Sequence, residues 1–474
     1  MIRRNSIWGN IDWITVLMYL VLIFIGWINI YAAVYNDEHS NIFDFTQRYG
    51  KQLIWIAAAL LIAITIFIID IRFYSYFAYI FYGILVFTLL FVLVFGAEIK
   101  GARSWIQIGS ISIQPSEFAK ITTALALAKY LSAFNIELNK FKTYLKIILI
   151  IFIPALLIYA QNDTGSALVY FAFILVLYRN GLSDSIMFLG FFVVLLFFLA
   201  LILSKITIIL LIISVAFIVF FILDKQSKNF MYGVLILVVF SGVFYGLSKL
   251  VSFNVSPYYI ISVSLASSLF TYFYFAIKKK IKHIFLVSIF LISSILFTFS
   301  VDYFFNNILE PHQQERINNL LGIEFDPLGA GYNVNQSKIA IGSGGITGKG
   351  FLRGTQTKFD FVPEQTTDFI FCTIGEEWGF VGTFTVIVLF VGLMVRLVFL
   401  AERQRTKFSR LYGYGVVSVL FVHFTVNIGM TIGLFPVIGI PLPFLSYGGS
   451  SLWAFTILVF IFLRLDAGRM EYLG

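Results

Sequence analysis

The sequence predicts an all-α polytopic membrane protein of about fourteen transmembrane helices with a large polar loop at 304–366. Three observations carry that reading. Mean hydropathy is +0.93 and only 12% of the 474 residues are charged, which excludes a soluble domain with an ordinary charged surface. Apolar runs of about 17 to 25 residues recur along the chain, the length a helix rising about 1.5 Å per residue needs to cross hydrocarbon. Lys and Arg gather in alternate loops, which marks the cytoplasmic side.

The predicted spans lie at 11–34, 52–69, 75–97, 117–133, 144–160, 164–179, 185–203, 207–223, 230–249, 257–277, 284–303, 367–398, 410–433 and 449–465, those at 117–133 and 164–179 being short. With Arg3 and Arg4 inside, the cytoplasmic loops hold Arg72, Lys140, Lys142, Arg179, Lys225, Lys228, Lys278 to Lys280, Lys282, Arg403, Arg405, Lys407 and Arg410. The other loops hold few basic residues, such as Arg48 and Lys51. Both termini are then cytoplasmic and the 304–366 loop is outside. The first apolar run is too long for a signal-peptide core and lacks an A-x-A site, so it is expected to stay as a signal anchor.

The net charge of +9 is spread over these loops rather than gathered in one stripe with aromatic platforms, so no nucleic-acid partner is expected. Topology and anionic lipid headgroups account for it. The single cysteine, Cys372, rules out a disulfide framework within the chain and reads as a small packed residue. The whole of 1–474 reads as one integral membrane domain in sections: core helices at 1–180, a bland hydrophobic region at 185–303, the loop at 304–366 and further core helices at 367–474.

Between the third and fourth spans, GARSWIQIGSISIQPSEFAK alternates apolar and polar residues around Gly109-Ser110, predicting a small extracellular hairpin. Trp105 on it is either an interfacial belt aromatic or a site residue. Pro115-Ser116-Glu117 fits a helix start with Ser116 as N-cap. Glu117 and Lys120, spaced i, i+3 at a helix mouth, can pair; they either fix helix orientation or line a cavity. Asp163 in QNDTGSAL is a helix cap or a cavity-lining group.

Near the end, LFPVIGIPLPFLSYGGSS places Pro436, Pro441, Pro443, Gly448 and Gly449 between two spans. Irregular backbone at membrane depth is tolerated only where protein buries it or where it lines a water-filled cavity. A cavity open to the outside is therefore expected, lined by Pro441 and Pro443, with Ser446 a candidate substrate contact. His423 and Asn427, one turn apart on the preceding helix, could face it; Asn427 is taken as cavity-lining and His423 is given no role.

The long loop opens with an amphipathic stretch, ILEPHQQERINNLLG, whose Ile317, Leu320 and Leu321 suit a membrane surface while Arg316 faces headgroups. Asp326 follows, held extended by Pro327; it is a general base toward a sugar hydroxyl or simply a turn opener. GSGG and GKG within 342–350 resemble an anion cradle without the spacing of a nucleotide P-loop. Lys338, Lys349 and Arg353 would neutralise a pyrophosphate. Glu364 and Asp368 flank the return to the membrane, with Glu376 and Glu377 just inside it. Such carboxylates would accept a divalent cation, Mg2+ or Mn2+, though no spacing is diagnostic; no organic cofactor is expected.

DPLGAGYNVNQSKIAIGSGG, GTQ at 354–356, PEQTTDFIF, GEEWGFVG and GIPLPFLSYGGSS together resemble the SEDS family (shape, elongation, division and sporulation), and its rod-shape branch more than its division branch. GARSWI, QPSEFAK and QNDTGSAL agree, so the resemblance covers about 1–180 and 305–474. It implies a peptidoglycan glycosyltransferase of the bacterial cytoplasmic membrane that polymerises lipid II on the outer face and releases undecaprenyl pyrophosphate. Its implied partners are a class B penicillin-binding protein and other elongation-complex membrane proteins. The family's loop aspartate falls on Asp326, its first-loop tryptophan on Trp105 and its membrane Glu/Lys pair on Glu117 and Lys120.

This chain departs from the family's usual ten helices by about four, all within 185–303, and carries Asn162 and Thr366 where Pro and His are common. A lipid II flippase and a non-catalytic scaffold for the crosslinking enzyme are the competing expectations. Broken helices suit a transporter, but a transporter has no use for a catalytic carboxylate and commonly shows inverted repeats, which this sequence does not display.

Overall fold

The computed structural model describes residues 7–35, 42–99, 101–109, 111–134, 136, 140–224, 227–250, 257–279, 284–309, 311, 314–315, 317–318, 331–359 and 361–469. Asp326 and Pro327 lie outside them, as do Arg316, Leu320, Leu321 and Ser110. The described residues are helical apart from one small sheet and form two compact units, Met1–Ser183 with Phe325–Gly474, and Asp184–Glu324.

In chain order the helices are α1 (Trp13–Val34), α2 (Arg48–Ile68), α3 (Ile71–Tyr76), α4 (Ala78–Phe95), α5 (Pro115–Ser132), α6 (Phe141–Ala160), α7 (Thr164–Leu168) and α8 (Phe173–Arg179). The second unit supplies α9 (Asp184–Ile202), α10 (Lys205–Asp224), α11 (Ser227–Leu250), α12 (Pro257–Lys279) and α13 (Ile284–Asn307). The first unit resumes with α14 (Tyr332–Ser343), α15 (Thr355–Lys358), α16 (Ile370–Glu402), α17 (Lys407–Thr431) and α18 (Gly449–Ala467).

Among the described residues, eleven helices are long and apolar enough to cross a membrane, against about fourteen expected. The other expected spans are helical but fall short for separate reasons. α5 carries Glu117, Lys120 and Lys129; 164–179 is interrupted by a 3-10 turn at Val169–Ala172; in α12 the apolar stretch is Ile260–Thr271.

The interior of the first unit is built on α5 and α18. Phe455, Leu458, Phe462 and Leu463 of α18 are buried, and α18 packs against α2. α5 buries polar groups as well, Ser116, Glu117, Lys120 and Thr123 among them, which is possible only because protein partners replace water. α1 starts where Asp12 accepts the Thr15 N–H at 3.1 Å, and the same carboxylate takes Arg396 of α16 at 2.5 Å. The second unit packs Leu196, Ile208, Ile212, Phe220, Leu265 and Leu291 into a separate core. Its hydroxyls return to carbonyls one turn back, as Ser264 does to Ile260 and Thr298 to Ser294, so they stay satisfied in an apolar bundle.

The expected hairpin is present as β2 (Ala102–Ile108) against β3 (Ile111–Ile113), with Gly109 at φ +63° in the turn. The alternation continues upstream, and β1 (Ala97–Ile99) adds a third antiparallel strand that sets Ala97 opposite Trp105. The Arg103 N–H donates to the Gln161 carbonyl at 3.0 Å, which ties the sheet to the end of α6. Ser116 is not the N-cap of α5: the helix begins at Pro115 with Gln114 in the cap position.

Candidate active site

The residues from Ile432 to Gly448 are irregular, as the prolines require. Side chains of neighbouring helices satisfy their backbone. The Asn427 amide donates to the carbonyls of Ile440 and Asp368, both at 2.8 Å. His423 Nδ1 faces the Pro441 carbonyl at 3.2 Å. Gly448 N–H donates to Gln52 Oε1 at 3.2 Å, and Tyr447 N–H to the Thr366 carbonyl at 2.8 Å. Ser446, expected to touch substrate, is buried, and its hydroxyl donates to the Thr367 carbonyl at 2.6 Å and accepts the Leu442 N–H at 2.8 Å. It holds the segment's shape.

Glu117 and Lys120 form an ion pair at 2.9 Å with both side chains 2% exposed. His423, to which no role is assigned above, lies 2.9 Å from the same ammonium. Asp163 is a helix cap: it accepts the Ser166 N–H at 3.0 Å at the start of α7. Its second oxygen accepts Gln114 Nε2 at 2.9 Å and Ser116 Oγ at 3.3 Å, fastening the mouth of α5.

The glycines at 342–350 do not form a free anion cradle. Their backbone is packed against α16, which is broken at Gly379 (φ 63°, ψ −154°). The N–H groups of Lys349 and Gly350 donate to the carbonyls of Glu376 and Glu377, both at 3.0 Å, and those of Phe380 and Val381 donate to Gly345 and Ile346 at 2.9 and 3.1 Å. Groups freed by the helix break are thus paired by the loop, as membrane depth demands. Only glycine fits: a Cβ on Gly348 would stand 2.1 Å from the Glu377 carbonyl oxygen.

Glu376 organises the next turn. Its carboxylate accepts the N–H groups of Thr355, Gln356 and Thr357 at 2.8 to 2.9 Å and the Thr357 hydroxyl at 2.8 Å. Lys349 donates to it at 2.6 Å, so the ammonium expected to meet a pyrophosphate is bound to Glu376.

The remaining candidates lie around the irregular segment. Lys338 is exposed, its ammonium end lying over Gly433, and Arg353 is exposed. Glu364, at φ +56°, accepts the Thr367 hydroxyl at 2.9 Å and turns the chain toward α16. Asp368 lies beside Gly439, whose Cβ position is 3.5 Å from its Oδ2. Arg48, one of the few basic residues of the outer loops, donates to Thr366 Oγ1 at 2.7 Å. The available signal was a cation at the first residue of α2. Among the described residues, which do not include Asp326, no three His, Cys, Asp or Glu side chains come together to hold a metal ion, and no step is derived through the expected divalent cation.

Fold and site define a multi-pass helical membrane protein whose irregular segments are held by buried polar groups. The chain belongs to the FtsW, RodA and SpoVE family of cell cycle proteins, the SEDS family, which matches residues 12–232 and 248–471. It is 32% identical over 98% of its length, and 99% of the relative's, to the peptidoglycan glycosyltransferase RodA of Treponema pallidum. To the peptidoglycan glycosyltransferase MrdB of Escherichia coli K12 it is 32% identical over 84% of this chain and 80% of that one. Among solved structures, a chain described under structural coordination of polymerization and crosslinking by a peptidoglycan synthase complex shares the fold, with TM-score 0.62, 24% identity and coverage of 97% and 99%. Thermus thermophilus RodA shares it with TM-score 0.56, 22% identity and 97% coverage of both chains.

Proposed function

We propose that this chain is a peptidoglycan glycosyltransferase that polymerises lipid II for cell elongation and shape, at the outer face of a bacterial cytoplasmic membrane. The observation that carries the reading is the 32% identity, spanning nearly the whole of both chains, to a peptidoglycan glycosyltransferase. The motifs that carry chemistry lie within the matched range.

In the proposed reaction Asp326 takes the proton from the 4-hydroxyl of the acceptor sugar, and that oxygen attacks the anomeric carbon of the donor with inversion. The bond from that carbon to the pyrophosphate oxygen breaks, and undecaprenyl pyrophosphate leaves with the electron pair. Charge develops on the leaving group, where preorganised cations contribute most. Lys338, Arg353 and Arg48 are exposed cations that would serve it. Trp105, Glu364 and Asp368 are proposed to contact substrate, and the groups around Asn427, Pro441 and Pro443 to border the cavity for the polyprenyl chains. Both termini are cytoplasmic, and the partner is a class B penicillin-binding protein that crosslinks the new strand.

The test is polymerisation of purified lipid II with the partner transpeptidase, comparing wild type with Asp326→Asn at equal folding and complex formation. Glycan from wild type and none from the variant supports the reading. The irregular segment and the break at Gly379 also suit a lipid II flippase; no glycan from either protein, with lipid II crossing vesicle membranes, would establish that instead.

A further inference from the structure

The buried pair Glu117–Lys120 does not end on itself. Lys120 Nζ lies 2.9 Å from Glu117 Oε2, 2.9 Å from His423 Nε2 and 5.2 Å from the centre of the Phe455 ring. An ammonium only donates, so Nε2 of His423 accepts and Nδ1 carries the ring proton. That proton faces the Pro441 carbonyl at 3.2 Å. The carbonyl belongs to irregular backbone, where no helix partner exists for it. One turn further along α17, Asn427 holds the preceding carbonyl, Ile440, at 2.8 Å. The His423 ring is also set edge-on against Phe455 at 4.8 Å, which fixes its orientation.

We propose that His423 is a positioning residue: it refers the Pro441 carbonyl to the Glu117–Lys120 pair on α5 and so sets where residues 436–446 stand in the site. α5 is a sound reference because its own mouth is fastened through Gln114 and Ser116 to Asp163. The buried ion pair then has a use beyond joining two residues of one helix: it orients an imidazole on another helix. The activity part of the inference rests on the glycosyltransferase reading above, whereas the geometric part does not.

Three variants test it. His423→Gln keeps an acceptor for Lys120 and a donor for Pro441; His423→Leu keeps bulk and neither function; His423→Asn is too short to span both partners. Hydrogen exchange of the amides at 439–446 is followed in detergent, with lipid II polymerisation on the same preparations. His423→Leu should exchange there roughly tenfold faster, the scale set by one lost buried hydrogen bond. Amides of the sheet at 97–113 should be unchanged. The kcat for polymerisation should fall roughly tenfold with KM altered less than about threefold, and His423→Gln should restore both readouts. Should His423→Leu not fold, His423→Asn should show the same local loosening. Unchanged exchange in Leu and Asn variants overturns the proposal, and so does faster exchange with polymerisation untouched. If wild type makes no glycan, the glycosyltransferase reading falls and the exchange measurement alone decides the positioning.

Discussion

A carboxylate with no solvent exposure persists in a membrane protein only when its charge and lone pairs find partners. Glu376 meets that condition through three backbone N–H groups, the Thr357 hydroxyl and Lys349. Replacing it by Gln keeps the shape but turns one acceptor into a donor aimed at backbone donors, and leaves Lys349 with an uncompensated charge. Leaving buried backbone donors unpaired costs about 1–3 kcal/mol. Glu376→Gln should therefore melt well below wild type in detergent and become sensitive to protease within 349–359. Lys349→Met should cost less, because that lysine is partly exposed. Equal melting of Glu376→Gln and wild type would show that the carboxylate does not hold this turn. In the sequence, GTQ and GEEWG are separate motifs, and nothing in their spacing says that one caps the other.

The elements were legible to the extent that they obey a repeating pattern. Long apolar runs predicted the helices because hydrocarbon imposes one length on every span, and alternation predicted β2 and β3 because a strand imposes a period of two. Departures from pattern were less legible. The prolines announced the irregular segment at 432–448, but the break in α16 falls on one of three glycines, Gly375, Gly379 and Gly382, beside Glu376 and Glu377, and nothing in their spacing singles it out. Its cause is tertiary: the loop at 344–350 inserts against it, and a Cβ on Gly379 would stand 2.3 Å from the Gly348 nitrogen. Gly379→Ala must therefore expel the loop or bend the helix, and should destabilise by more than about 3 kcal/mol, the loss of several backbone hydrogen bonds and of a left-handed conformation. Gly392→Ala is the control, since a Cβ there meets only the Met18 methyl at 3.7 Å. Thermal unfolding of both variants in detergent decides it, and equal melting would contradict the account.

The path of the whole chain through the membrane is constrained by a contact far from the site. Arg179, at the end of α8, donates through Nε to Glu402 at 3.1 Å, so residues 179 and 402 lie on the same side. α16 runs from Ile370 to Glu402 and crosses once, which puts the 331–369 region on the opposite side from Arg179. Between those two points the chain must cross an odd number of times. The second unit offers four helices that qualify by length and hydropathy, plus α12 with its shorter apolar stretch. Four crossings would return the loop to the wrong side, so α12 is the required fifth. Its serines do not forbid this, because Ser264, Ser268 and Thr271 each bond a carbonyl of the preceding turn. Cysteines placed at Tyr258 and Lys278 should accordingly report opposite sides in intact spheroplasts. An impermeant maleimide should label position 258 at once and position 278 only after permeabilisation, with buried Cys372 contributing no background. Labelling of both positions from one side would mean that α12 does not cross. Some other segment of 184–307 would then have to supply the odd crossing, or the orientation inferred from the Arg179–Glu402 contact would fail.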